Sequence, residues 1–97
     1  MCGIVGISAN RPIVQHLIAG LAALEYRGYD SAGVALLTGD GIARLRAKGK
    51  VRDLVALQAQ TGLDGHCGIA HTRWATHGVP SEGNAHPHVS GEVSLVH

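Results

Sequence analysis

The first residues are apolar with little interruption: Ile4, Val5 and Ile7 follow Cys2 and Gly3. Such a run reads as a buried strand over residues 2–8. The period then changes. Ile13, Val14, Leu17, Ile18, Leu21 and Leu24 recur at helical spacing, with Gln15, His16 and Glu25 off the stripe. That pattern predicts an amphipathic helix of about four turns. Asn10-Arg11-Pro12 marks its start, with Pro12 in the first helical turn. Its end falls near Tyr26-Arg27-Gly28, where Gly28 suits a C-terminal cap.

Gly28-Tyr29-Asp30-Ser31-Ala32-Gly33 is a polar loop between two apolar elements. Residues 34–37 form a short strand, Thr38-Gly39-Asp40-Gly41 is a hairpin turn signal, and residues 42–47 read as the return strand. In that strand Ile42, Arg44 and Arg46 alternate with Ala43, Leu45 and Ala47. Gly49-Lys50 breaks it. Val51, Leu54, Val55 and Gln58 predict a second helix ended by Gly62, and the loop Gly62-Leu63-Asp64-Gly65 leads into another strand region, residues 67–72. From Arg73 to Glu92 there is no clear period, and long irregular stretches in compact domains are usually functional or disordered. Residues 93–97 read as the start of a further strand, and a chain stopping in mid-element is expected to be a fragment. Alternating strands and helices imply an α/β or α+β fold. The hairpin requires one antiparallel pair, so a mixed sheet is expected.

At 97 residues the chain has room for one small domain. Without phenylalanine, and with only 3% aromatic residues, the core is built from Ile, Leu, Val and Ala. A formal net charge of +1 argues against a nucleic-acid or anionic-membrane surface. Cys2 and Cys67 do not make a disulfide framework, and a reducing, cytoplasmic setting is expected. No signal peptide pattern is visible, and no apolar run approaches a membrane span.

Cys2 directly follows Met1. A small second residue permits removal of Met1, which leaves a thiol and a free α-amine on adjacent carbons. The amine titrates near ~8, so a useful fraction is unprotonated at neutral pH. It can take the thiol proton directly or through one water, which is how an N-terminal nucleophile is activated. Gly3 and Gly6 leave room beside it. The competing reading is a core strand that merely contains a cysteine.

Four segments carry more than a pattern. They are Cys2-Gly3-Ile4-Val5-Gly6; Leu24-Glu25-Tyr26-Arg27-Gly28-Tyr29-Asp30-Ser31-Ala32-Gly33; Gly68-Ile69-Ala70-His71-Thr72-Arg73-Trp74-Ala75-Thr76-His77-Gly78; and Asn84-Ala85-His86-Pro87-His88. Together they resemble the glucosamine-6-phosphate synthase branch of the class II glutamine amidotransferases, over essentially the whole chain. The resemblance implies an α+β, N-terminal nucleophile hydrolase fold, an αββα four-layer sandwich of which only the first part is present. It implies hydrolysis of glutamine, with the ammonia passed to fructose 6-phosphate to make glucosamine 6-phosphate. It also implies parts that these residues do not include: an Asn-Gly pair supplying the oxyanion hole, an acidic residue for the substrate amine, and two sugar isomerase domains. Residues 1–97 are thus expected to be a partial glutaminase domain, inactive alone, from a protein that is homodimeric at full length. No cofactor is implied.

On this resemblance Cys2 is the nucleophile. Arg73 holds the glutamine α-carboxylate through its bidentate fork; a surface salt bridge is the alternative. Trp74 walls the pocket, or is a core aromatic. Thr76 and His77 lie in the same pocket, His77 with an alternative role in ordering the loop. Arg27 and Gly28 support the nucleophile end, although Arg27 would also suit the C-terminal end of a helix. Asp30 and Ser31 are expected to shape the turn. His66, Cys67, His71, His77, His86 and His88 invite a metal reading, but their spacings fit no paired-ligand pattern. Cys67 is expected to be a buried thiol, and no metal is expected. Other readings are another class II enzyme such as amidophosphoribosyltransferase, against which Trp74 speaks, and a non-catalytic remnant.

Overall fold

A computed structural model describes residues 2–25, 28–74 and 83–96. Among these described residues six strands and two helices follow in the order β1 (Gly3–Ser8), α1 (Val14–Ala23), β2 (Ser31–Thr38), β3 (Gly41–Lys48), α2 (Val51–Thr61), β4 (Cys67–Arg73), β5 (His88–Ser90) and β6 (Val93–Leu95). The first four-stranded sheet has the order β1-β4-β2-β3, and β5 and β6 pair separately. The architecture is α+β.

Every neighbouring pair is antiparallel, so the expectation of a mixed sheet is corrected. The reason is topological. β1 and β2, joined through α1, run in the same direction, but β4 inserts between them and runs against both. The β–α–β connection therefore leaves no parallel neighbours.

Both helices pack on one face of this sheet. Ile13, Val14, Leu17, Ile18 and Leu21 from the first helical segment meet Val34 and Leu36 of β2, Ala47 of β3, Ala70 of β4, and Val51 and Leu54 of α2 in one cluster. Gln15, His16 and Glu25 are exposed, as the helical stripe requires. In α2 the buried line is Val51 and Leu54, whereas Val55 is 42% exposed and stands outside it. Gly62 closes α2 in the left-handed conformation, at φ 63°.

Three boundaries differ from the periodic pattern. α1 begins at Val14, after Pro12, and its first amides are held by a distant side chain. Asp64 Oδ1 accepts the N–H of Ile13 at 3.1 Å and of Val14 at 3.0 Å. α1 also ends earlier, at Ala23, with Leu24 as its cap residue. β2 starts at Ser31, within the stretch that reads as a polar loop, because Ser31, Ala32 and Gly33 pair with both β3 and β4. The hairpin turn stands as expected: Thr38 pairs with Gly41, and its Oγ1 accepts the Asp40 N–H at 3.2 Å. Part of the aperiodic stretch is ordered as β5, a strand of only three residues.

The other face of the sheet is partly covered by residues 83–90. Arg44 Nη1 donates to the Pro87 carbonyl at 3.4 Å, and Arg46 Nη1 donates to those of Gly83 and Ala85 at 3.3 and 3.2 Å. Elsewhere this face is open. Ile4 and Leu37 are 49% and 58% exposed, and a shallow apolar depression of about 240 Å³ is lined by Ala35, Leu37, Ile42, Cys67 and Ile69 among others.

Candidate active site

Strand register relates the ends of β1 and β4, where Cys2 and Arg73 lie. β1 and β4 pair from Gly3 opposite Thr72 to Ser8 opposite Cys67. Continued by one residue, this register sets Cys2 against Arg73. Side chains alternate across a strand, and Gly3 and Thr72 face the helices, since a Cβ on Gly3 would meet Leu24 and Thr72 Oγ1 at 2.8 Å each. Cys2 and Arg73 consequently share the opposite face. On its other side Arg73 pairs with Ser31 of β2, which is fully buried.

Cys2 is half-buried and its thiol is free. Arg73 is only 9% exposed, which does not fit a solvated surface ion pair. Trp74 follows at the strand end and is 49% exposed. It is not a core aromatic. Gly28 backs its ring: a Cβ added at Gly28 would lie 3.4 Å from Trp74 Cζ3, and the backbone there is left-handed, at φ 75°. Two residues singled out separately in the sequence are thus brought together. Arg27, Thr76 and His77 lie outside the described residues, as does Tyr26.

The Gly28–Asp30 segment is pinned on three sides. Asp30 N–H donates to the Arg73 carbonyl at 2.8 Å, and the Asp30 carbonyl accepts the Gly49 N–H at 2.8 Å. Tyr29, between them, points into the core and is 6% exposed. Its hydroxyl donates to Glu25 Oε1 at 2.6 Å and accepts the Val51 N–H at 2.8 Å. Lys50 Nζ sits 5.0 Å from the Tyr29 ring centroid. Burial, then the hydrogen bond with Glu25, pushes the Tyr29 hydroxyl up to about 12. Sequence reasoning passed over Tyr29. The signal available was Glu25 four residues before it, a spacing that brings side chains together on a helical turn. Asp30 and Ser31 do more than shape a turn, since one bridges to Arg73 and the other opens β2.

Three of the histidines read as possible ligands, His71, His86 and His88, lie side by side. His71 is fully buried and stacks on His86, with ring centroids 4.2 Å apart and planes inclined by 27°. His86 in turn lies 4.3 Å from His88, tilted by 58°. Among the described residues no three His, Cys, Asp or Glu side chains converge as a metal site would require. Cys67 is exposed, at the far end of β4 from Arg73. The expected buried thiol is corrected: Cys67 occupies the first position of its strand, where the apolar run has not yet entered the core.

No family model matches the chain. Individual proteins do, over its full length. It is 61% identical over 97 residues to a protein of Acinetobacter baylyi and 57% identical over 97 residues to one of Bradyrhizobium diazoefficiens. A third, from Vibrio cholerae, is 56% identical over 98 residues. Each is named glutamine–fructose-6-phosphate aminotransferase (isomerizing). The whole chain is similar to the N-terminal part of this aminotransferase. It spans 16% of the length of the curated relatives it matches. The residues that carry the resemblance to the glucosamine-6-phosphate synthase branch all fall inside that matched part. No helix among the described residues is long and apolar enough to cross a membrane.

Proposed function

We propose that this chain is the leading part of a glutaminase domain in an enzyme that makes glucosamine 6-phosphate from glutamine and fructose 6-phosphate. The observation that carries this reading is the β1–β4 register, which ends with Gly3 opposite Thr72 and so brings the chain at Cys2 to the Arg73 end of β4, in a chain similar along its whole length to aminotransferases named for those substrates.

With Met1 removed, the Cys2 α-amine accepts the thiol proton and Sγ attacks the side-chain amide carbon of glutamine. The tetrahedral intermediate collapses as the α-ammonium returns the proton to the leaving nitrogen, and ammonia departs. A thioester between Cys2 and glutamate remains. Water, deprotonated by the same amine, attacks it and releases glutamate. Arg73 holds the substrate α-carboxylate bidentately, and its burial makes that pairing strong because solvent competes poorly there. Trp74, seated on Gly28, closes one wall against water. Thr76 and His77 complete the pocket, and Arg27 orders the cysteine end.

The longer protein supplies what this chain lacks in the reading: the oxyanion donors, the group for the substrate amine, and the domains that bind fructose 6-phosphate. It works as a cytoplasmic homodimer. Its second sheet covers the open face at Ile4 and Leu37 to build the four-layer αββα sandwich of an N-terminal nucleophile hydrolase; the exposed apolar surface there supports this. Each absent oxyanion donor costs ~10²–10³ in turnover, so the 97-residue chain alone turns over negligible glutamine.

The test is intact mass before and after exposure to an electrophilic glutamine analogue. Loss of Met1 with a single adduct at Cys2 supports the reading. Retention of Met1 in the mature longer protein removes the base and overturns it.

A further inference from the structure

We propose that Tyr29 is a positioning residue for the glutamine pocket, its hydroxyl setting the Gly28–Asp30 segment on which Trp74 and Arg73 rest. This rests on the function proposed above.

The geometry is a short chain of contacts. The Tyr29 hydroxyl joins two helices: it donates to Glu25, just beyond the end of α1, and it accepts the first amide of α2 from Val51. Both lengths are those of well-formed hydrogen bonds. The Val51 amide is one of the N-terminal helix donors that has no partner within its own helix. The hydroxyl therefore gives a buried donor its acceptor and ties the loop to two rigid bodies at once. The residues on either side of Tyr29 are the ones that touch the pocket. Gly28 lies under the Trp74 ring, and the Asp30 amide bonds the Arg73 carbonyl at 2.8 Å. Glu25 and Tyr29 also bracket Arg27 in sequence.

Neither Arg73 nor Trp74 touches the bond that breaks. They hold the carboxylate end of glutamine and the pocket wall. Loosening their support weakens substrate binding in the ground state and the transition state alike, which raises KM and leaves kcat in place.

The experiment is Tyr29→Phe in the full-length protein, read as glutamine hydrolysis. KM for glutamine is expected to rise about ten-fold with kcat held within about two-fold. A lowered melting temperature with unchanged KM would overturn the inference, because Tyr29 would then act on stability alone. Glu25→Ala is the second variant. It keeps the hydroxyl on Val51 and removes an exposed partner, so it serves if Tyr29→Phe does not fold. A smaller rise in KM is expected, and no rise would count against the inference. A parallel readout uses the 97-residue chain, where Trp74 is the only tryptophan: Tyr29→Phe should shift its fluorescence emission. If the wild-type longer protein hydrolyses no glutamine, the function reading fails. The Trp74 emission then still decides whether Tyr29 positions that ring.

Discussion

Asp64 caps the helix that begins at Val14, fifty residues before it in sequence. Its Oδ1 takes the amides of both Ile13 and Val14, and Ile13 N–H also reaches the Gly65 carbonyl at 3.0 Å. No Ser, Thr, Asp or Asn stands at the position before α1, where Ile13 sits. The cap comes instead from the loop that leads into β4. Asp64→Ala should lower unfolding free energy by ~1 kcal/mol, the usual loss for a removed N-cap. Denaturant midpoints compared with wild type check this, and an unchanged midpoint would show that the Gly65 carbonyl suffices.

Gly33 is a point of close approach between the sheet and residues 86–87. A Cβ there would collide with the His86 carbonyl and approach Pro87 Cδ at 2.9 Å. Both obstacles belong to backbone or a proline ring and cannot turn aside. Gly33→Ala should cost ~1–3 kcal/mol by overpacking, with the His71–His86 stack displaced. Histidine ring resonances in NMR spectra would report the second effect separately from the loss of stability.

Two free thiols make labelling informative. A small generic alkylating reagent should modify exposed Cys67 readily, while a glutamine-shaped electrophile should select Cys2. The adduct from the latter is expected to survive Cys67→Ser and vanish in Cys2→Ser. An adduct that vanishes in Cys67→Ser would move the reactive centre to the wrong end of β4.

Alkaline stability follows from Tyr29. Its hydroxyl titrates near 10.0 when free and is pushed up to about 12 in the fold, first by burial and then by Glu25. The native state therefore favours the protonated form. That contribution is complete below pH 10 and is lost as pH rises towards 12. The chain has two tyrosines. In the absorbance titration of the folded protein, Tyr29→Phe should remove a tyrosinate component that rises well above pH 10, and an unchanged titration curve would show that the Tyr29 hydroxyl is not held up.

Local signals were enough for the extent of β1, the β2–β3 hairpin, the buried stripe of α1 and the body of α2; the burial expected of β1 is corrected, since Ile4 is 49% exposed and Val5 and Ile7 are only half-buried on a strand at the sheet edge. Each is an apolar run, an alternation, a turn signal or a helical repeat over neighbouring positions, which short-range chemistry enforces. Gly62 and the Thr38-Gly41 turn likewise needed only their own conformational preferences. Of the candidate site, the residue types were visible in the sequence: a cysteine behind Met1, an arginine and tryptophan at the end of an apolar strand, a glycine in a polar loop.

What tertiary structure decided lies between segments. β4 wedges between β1 and β2, making every pair antiparallel, because hydrogen-bond partners are chosen by whole strands in space. The same insertion pairs Arg73 with Ser31 and recruits Ser31 to Gly33, part of a stretch that reads as a loop, into a central strand. Asp64 capping Val14, Tyr29 bonding Val51 and Gly33 meeting His86 join residues from 22 to 53 positions apart. No local period records such contacts. Local pattern marked the candidate residues and the middle of each long helix and strand, but not the start of β2, the end of α1 or β5. Only the packing of strands decided which of those residues stand together, since proximity across a sheet is a property of register and not of neighbouring side chains.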